Sequence, residues 1–376
     1  MVVTKDYFLS RMSGLFTAIW TRNSLLAIYG FAVATLFCPY ISGAAITTRW
    51  IAIAIGPWLL MNGPTTGDTA AIGPRILMSG PKIGATALWL MPFFVWVLLS
   101  LLWTAQPYDG IGETIQWAIA IGVFLFGASV DDPKPLYFGF GVGILVAYPF
   151  GLFDPNADLV AEAAAPAFIA ALVTRQWLLS GLLPIVLVLS HVQHHCAKGA
   201  ILGATCALAV LFLHRSWKTG LIIVALGLAL VGCLTYLTAL SDNLERIHIW
   251  QDTYAGITLF GHGIGSFRYV FPDFASHINI ILGTRPDHAH NDFLEILFEL
   301  GYVGGFLALV GLGVILYRGR NIAEALIVVC VIGTSLTNFP LHIPSTLFMA
   351  AFALGRVCRL DSLCSQSNER RVLVPA

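Results

Sequence analysis

Long apolar runs separated by short polar turns dominate this chain. Their lengths approach the about 20 residues that an α-helix needs to cross a bilayer. They predict helices near residues 20–41, 46–62, 83–105, 112–130, 136–153 and 159–174, and again near 177–193, 197–213, 219–240, 293–317, 321–339 and 344–360. Pro57, Pro149, Pro166 and Pro184 fall inside apolar runs, which membrane helices tolerate where neighbouring groups take over the freed backbone bonds. No series of short alternating segments suggests a barrel. The expectation is an all-α polytopic membrane protein of about 12 transmembrane helices with one large structured loop outside the cytoplasm.

Composition sharpens this reading. The 376 residues are 57% hydrophobic and only 11% charged, where soluble domains carry about 25% charged residues. A water-soluble fold is therefore excluded as the expectation, and no nucleic-acid partner is expected. The seven cysteines are scattered singly, without a Cys-x-x-Cys pair, and read as packing residues. Lys5 and Arg11 precede the first apolar stretch with no small-residue cleavage site, so the first span is expected to be retained.

Basic residues test the topology independently, because they gather in short cytoplasmic loops. With a cytoplasmic N-terminus, 15 of the 20 Lys and Arg fall inside; Arg49, Lys198, Arg246, Arg268 and Arg285 fall outside. The chain then divides into nine helices over 1–240, an extracytoplasmic loop over 241–292, three helices over 293–360 and a cytoplasmic tail over 361–376.

The loop, SDNLERIHIWQDTYAGITLFGHGIGSFRYVFPDFASHINIILGTRPDHAHND, is too rich in aromatics for a disordered linker. A loop of this length is usually functional. Leu244, Ile247, Trp250, Tyr254 and Ile257 recur at steps of three and four, predicting an amphipathic helix at the membrane surface. Arg246 on that helix reads either as an interfacial cation meeting lipid phosphates or as a planar fork for phosphate oxygens. Gly261-His262-Gly263-Ile264-Gly265 lacks the following Lys-Ser/Thr and preceding strand of a nucleotide loop, and predicts a tight turn.

The densest polar cluster is Arg285-Pro286-Asp287-His288-Ala289-His290-Asn291-Asp292, running straight into an apolar helix. Asp292 with Glu295 resembles a capping box, placing both imidazoles at a helix start where amides favour an anion such as pyrophosphate. Phe293, Ile296, Leu297 and Leu300 are expected to form the buried face, with Asp292, Glu295 and Glu299 on another stripe. His262, His277, His191, His194 and His195 add possible metal ligands, but no zinc-type spacing links them, so neither metal nor cofactor is expected. A neutral imidazole accepts a hydroxyl proton without a metal.

These residues carry a resemblance. HAHNDFLEILFELGYVGG at 288–305, with His290-Asn291 ahead of Gly301-Tyr302-Val303-Gly304, resembles the signature of the bacterial O-antigen ligase and O-antigen polymerase superfamily. Arg246-Ile247-His248-Ile249-Trp250, GHGIGSF at 261–267 and Asn338-Phe339-Pro340-Leu341 are similar to further landmarks of that family. The likeness covers residues 190–355, and the first half only by hydropathy.

The resemblance implies a metal-independent, inverting glycosyltransferase in the bacterial cytoplasmic (inner) membrane. It would move a glycan from an undecaprenyl-pyrophosphate donor to an acceptor hydroxyl, with the loop in the periplasm. His290 takes the place of the family's essential histidine, as general base or acceptor-orienting group, and Arg246 that of the arginine holding the donor pyrophosphate. Arg285, His288 and Asn291 join them as substrate-binding candidates. Lys198 stands where the family often has Ser-Arg-Gly, here Ala197-Lys198-Gly199; it keeps the charge without the fork, or simply snorkels at a helix end.

Ligase and polymerase differ in acceptor, lipid A–core in one case and a second lipid-linked glycan in the other. The spacing favours the ligase of lipopolysaccharide biosynthesis over a polymerase of O-antigen or exopolysaccharide. A lipid-linked glycan transporter or flippase would share the hydropathy, but would place ionisable residues deep within its helices.

Overall fold

The computed structural model describes residues 22–36, 83–151, 158–194, 198–213, 216–237, 240–276, 286–319 and 322–359. The expected helix at 46–62, the tail at 361–376, and Arg285, His277 and His195 lie outside them.

Thirteen α-helices make up the described chain: α1 Arg22–Leu36, α2 Met91–Ser100, α3 Pro107–Ser129, α4 Lys134–Gly151, α5 Asp158–Val173, α6 Trp177–His194, α7 Lys198–Leu213, α8 Trp217–Leu237, α9 Leu240–Ala255, α10 Phe267–Val270, α11 Asp292–Arg318, α12 Ile322–Ser335 and α13 Pro344–Val357. Among the described residues there is no strand, only an isolated bridge between Ile83 and Arg359. The expected helix at 83–105 divides: a 3-10 turn, Ala85–Leu90, precedes α2, which carries Pro92 in its first turn, and the chain turns again after Ser100.

Small residues let the helices approach closely. The core is built from α1, α3 to α7, α12 and α13, with Ala161, Ala163, Ala164, Ala165, Ala167, Ala170 and Ala171 making α5 its central rod. A Cβ on Gly139 of α4 would fall 1.7 Å from the Ala27 carbonyl of α1, and one on Gly203 of α7 would fall 2.3 Å from the Cys330 carbonyl of α12. Such contacts, in which backbone meets backbone, suit helix association in a medium as apolar as the side chains.

Among the described residues two helices, Pro107–Ser129 and Asp292–Arg318, are long and apolar enough to cross a membrane, and only 28% of each apolar window is buried within the fold. Large apolar side chains are exposed elsewhere as well, including Leu221, Ile222, Leu226, Leu228 and Leu230 on α8 and Val188 and Val192 on α6. An exposed apolar surface this extensive marks contact with a membrane or a partner.

Candidate functional site

The site grows from the first turns of α11. Asn291 is its N-cap, extended at φ −164° and ψ 104°, with its side-chain oxygen accepting from the Leu294 amide at 3.1 Å. The cap thus falls one residue before Asp292, because Asp292 is engaged elsewhere. Its Oδ2 accepts from the Ser335 hydroxyl at 2.7 Å and the Leu341 amide at 3.1 Å.

The acidic stripe continues up the helix. Glu295 Oε2 accepts from the Ala289 amide at 2.8 Å, while Oε1 lies 2.8 Å from His288 Nδ1 and 3.3 Å from His342 Nε2. Glu299 accepts from the amides of Gly265 (3.0 Å) and Phe267 (2.8 Å). Asp292, Glu295 and Glu299 are only 1–3% exposed, whereas Phe293 is 37% exposed. The acidic stripe is thus buried along with Phe298 and Leu300; of the expected apolar face Leu300 is buried, Ile296 and Leu297 are half-buried and Phe293 is exposed. A carboxylate is buried at tolerable cost only when donors meet it, and each of these three ties a separate loop to one helix.

The glycine loop is one of those loops. Amides of His262 and Gly263 donate to the carbonyls of Phe298 and Glu299 (3.1 and 2.8 Å), and amides of Tyr302 and Val303 donate back to Thr258 and Leu259 (3.2 Å each). This exchange fills a break in α11 at Gly301, where φ is 71° and ψ −177°. A Cβ there would lie 2.3 Å from the Leu259 carbonyl, so both conformation and space demand glycine. Trp96 Nε1 caps the carbonyl of Leu300 at the break, at 2.9 Å. The glycines thus form the expected tight turn, and the amides of Gly265 and Phe267 are already taken by a carboxylate. Likewise the start of α11, dressed by Asn291 and two buried acids, is no place for the anion that its amides suggested.

His290 stands apart from this scaffold. Its backbone is left-handed, at φ 52°, a conformation that costs energy unless its surroundings impose it. They do: Ala289, fully buried, is held from its amide by Glu295 and from its carbonyl by Trp250 Nε1 of α9 at 2.9 Å. His290 Nδ1 donates to Asn338 Oδ1 at 3.4 Å, which leaves Nε2 to accept a proton. Phe339 meets the ring at 5.1 Å.

Arg246 reaches the neighbouring residue, donating to the Thr337 carbonyl at 3.0 Å. Burial and then the Arg246 charge hold the His290 imidazole down at about 4, against the opposing bond to Asn338. His290 is neutral at physiological pH.

His288 behaves oppositely. Burial would lower it, but the charge of Glu295 and the bond to it raise the imidazole to about 9. It stacks on Phe339 at 4.8 Å and faces His342 at 4.3 Å. His342 stays low, at about 4, because burial outweighs the attraction of Glu295.

No protein-family model and no curated protein matches this chain. What the site does must be read from its own geometry, which brings His290 and Arg246 onto adjacent residues of one turn. Gly199 comes to the same turn: a Cβ there would lie 2.8 Å from Thr337 Oγ1, so Lys198, first residue of α7, begins its helix beside it. Asn291 and His288 are spent on structure, Asn291 through its cap and a bond to the Leu336 carbonyl at 2.9 Å.

Arg268 pairs with Asp287 at 3.1 Å on the surface. Over residues 245–255 of α9, Ile249, Asp252 and Thr253 are buried while Ile247 and Tyr254 point outward. Sequence reasoning missed His342 and Asn338 as site residues, although Asn338 sits in a string already singled out. It also missed that His288, Glu295 and His342 place one donor atom each within 4.8 Å of one another, an arrangement that could hold a metal ion.

Proposed function

We propose that this chain is a multi-pass membrane glycosyltransferase that moves a glycan from an undecaprenyl-pyrophosphate donor to an acceptor hydroxyl. The observation that carries the proposal is the pairing of a neutral, conformationally constrained His290 with Arg246 across Thr337 and Asn338. The acceptor hydroxyl gives its proton to His290 Nε2 as its oxygen attacks the anomeric carbon from the face opposite the leaving group. The carbon–oxygen bond to pyrophosphate breaks, and the anion departs toward the Arg246 guanidinium, with Lys198 adding charge nearby. Inversion follows from a single displacement, and the chemical step runs through His290 and Arg246 without a metal ion.

In this reading the protein lies in a bacterial inner membrane with about 12 spans. The loop at 241–292, together with Glu295, Glu299 and residues 337–342, forms the site on the periplasmic side. Exposed apolar helices and the 15-to-5 division of basic residues support that orientation. Lipid A–core is the favoured acceptor; a second lipid-linked glycan would make the enzyme a polymerase.

The test uses purified protein, a defined undecaprenyl-pyrophosphate glycan and either acceptor. Transfer to lipid A–core, reduced by about 10²–10⁴-fold in His290→Ala, is the expected result. Lengthened donor chains would identify a polymerase, and turnover that survives His290→Ala would overturn the assignment of the base. One observation favours transport instead: Glu162, 2% exposed, is buried inside α5. Flipping of a labelled lipid in vesicles, lost in Glu162→Ala and kept in His290→Ala, would replace the enzyme reading.

A further inference from the structure

Three side chains meet next to the His290 segment, at the first turns of α11. His288 Nδ1 and His342 Nε2 both point at one oxygen, Glu295 Oε1, at 2.8 and 3.3 Å. A fourth group lies beside His342, at the edge of this trio. Asp292 Oδ1 lies 3.7 Å from His342 Nε2 and is buried with no hydrogen-bond donor, although its sister oxygen has two. A buried carboxylate oxygen without a donor is costly, and here it belongs to a residue only 1% exposed.

From these positions we infer that His288, Glu295 and His342, with Asp292 Oδ1 as fourth donor, form a site for a divalent transition metal, with zinc the best-fitting ion. Zinc binds imidazole nitrogen and carboxylate oxygen at about 2.0–2.2 Å in a tetrahedron, whose edges are then about 3.3–3.6 Å. Of the six edges, the 3.3 Å one matches, the 3.7 Å one has to close slightly, the 2.8 Å one has to open by about half an ångström, and the His288, Glu295 and His342 donors all lie within 4.8 Å of one another. Two carboxylates balance the ion's two charges, which relieves two buried acids that otherwise share the cavity with imidazoles. Each imidazole then carries its remaining proton on its other ring nitrogen.

The second oxygens of both carboxylates already have their partners, Ala289 for Glu295 and Ser335 with Leu341 for Asp292. Such supporting bonds orient metal ligands. The ion would join three segments at one point: the loop before α11, the first turns of α11, and the turn at Pro340–His342. It is a clamp that fixes the backbone two residues ahead of His290, not a participant in proton or glycan transfer. Because the site is read from donor geometry alone, it does not depend on the glycosyltransferase reading.

The test is done on purified full-length protein in detergent, stripped with EDTA and titrated with Zn²⁺ or, as a spectroscopic probe, Co²⁺. Expected are one equivalent of tightly bound zinc by elemental analysis and a rise in Tm on loading. Co²⁺ should give the intense visible bands of a tetrahedral site. His342→Gln and Asp292→Asn, which keep volume and most neighbouring bonds, should weaken binding by more than the about 10–100-fold that loss of a supporting group costs. His248→Ala, outside the cluster, should bind as the parent does. Failure of the stripped parent to bind either ion, or equal binding by His342→Gln, would overturn the site. Since the readouts are stoichiometry, Tm and absorption, neither result turns on whether the protein transfers a glycan.

Discussion

The two ends of α12 and α13 bury charge in opposite ways. At the end near Glu324, Arg356 Nε lies 3.4 Å from Glu324 Oε1, and the other oxygen accepts from the Tyr137 hydroxyl. Arg356 and Arg359 both donate to the Val130 carbonyl, and Arg359 pairs with Asp131. Acids there face guanidinium groups, and the contacts knit α3, α4, α12 and α13 together. At the other end, Asp292, Glu295 and Glu299 face amides, hydroxyls and imidazoles, while Arg246 donates to a carbonyl and a left-handed histidine stands beside it. The first arrangement meets its acids with guanidinium groups and is a clasp; the second has a charge pair of its own, Glu295 with the raised His288 imidazole. The second uses charge to hold loops in position and leaves a neutral base facing a cation, the kind of mismatch that marks functional sites.

Under the proposed function, this contrast predicts that substitutions at the two ends separate activity from stability. The largest effect expected is on turnover: His290→Gln should remove nearly all transfer while shifting Tm by no more than a degree or two, since the ring's one bond, to Asn338, is long. Glu324→Ala should do the reverse. Leaving the Tyr137 hydroxyl and Arg356 without their acid should cost about 3–5 kcal/mol, read as a large fall in Tm, with the folded fraction retaining its turnover number. Equal loss of activity and stability in both variants would erase the distinction.

Gly301→Ala probes the link between the two behaviours. Positive φ and the 2.3 Å approach to Leu259 should cost about 1–3 kcal/mol or more and disturb the loop exchange, so Tm and transfer should fall together. The smallest effect should come from Trp250→Phe, which deletes only the bond to the Ala289 carbonyl. It should lower stability by about 1 kcal/mol yet reduce transfer several-fold, because that bond supports the conformation of His290.

Much of this was legible in the apolar pattern. Helices expected at 159–174, 177–193 and 197–213 are found at Asp158–Val173, Trp177–His194 and Lys198–Leu213, since long apolar runs bounded by polar turns leave little choice. Local motifs singled out His290 and Arg246, which the fold brings to adjacent residues of one turn. The acidic face of α11 was not, because pattern reading equates burial with apolarity, and the donors that make burial of Glu299 possible come from Gly265 and Phe267, distant in sequence. The break at Gly301 was hidden for a similar reason: its partners are Thr258 and Leu259, and only the folded chain shows them. His342 was missed because it joins His288 through tertiary contact alone.

The break in α11 also sets a length. Beyond Gly301, residues 302–318 rise about 26 Å at about 1.5 Å per residue, somewhat less than the about 30 Å hydrocarbon thickness of a bilayer. In a membrane this mismatch would draw the headgroup region inward at the site, thinning the leaflet locally. In the glycosyltransferase reading proposed above, a polyprenyl donor would then present its pyrophosphate to Arg246 by lateral diffusion, with its tail still in the leaflet and little binding energy needed to extract it.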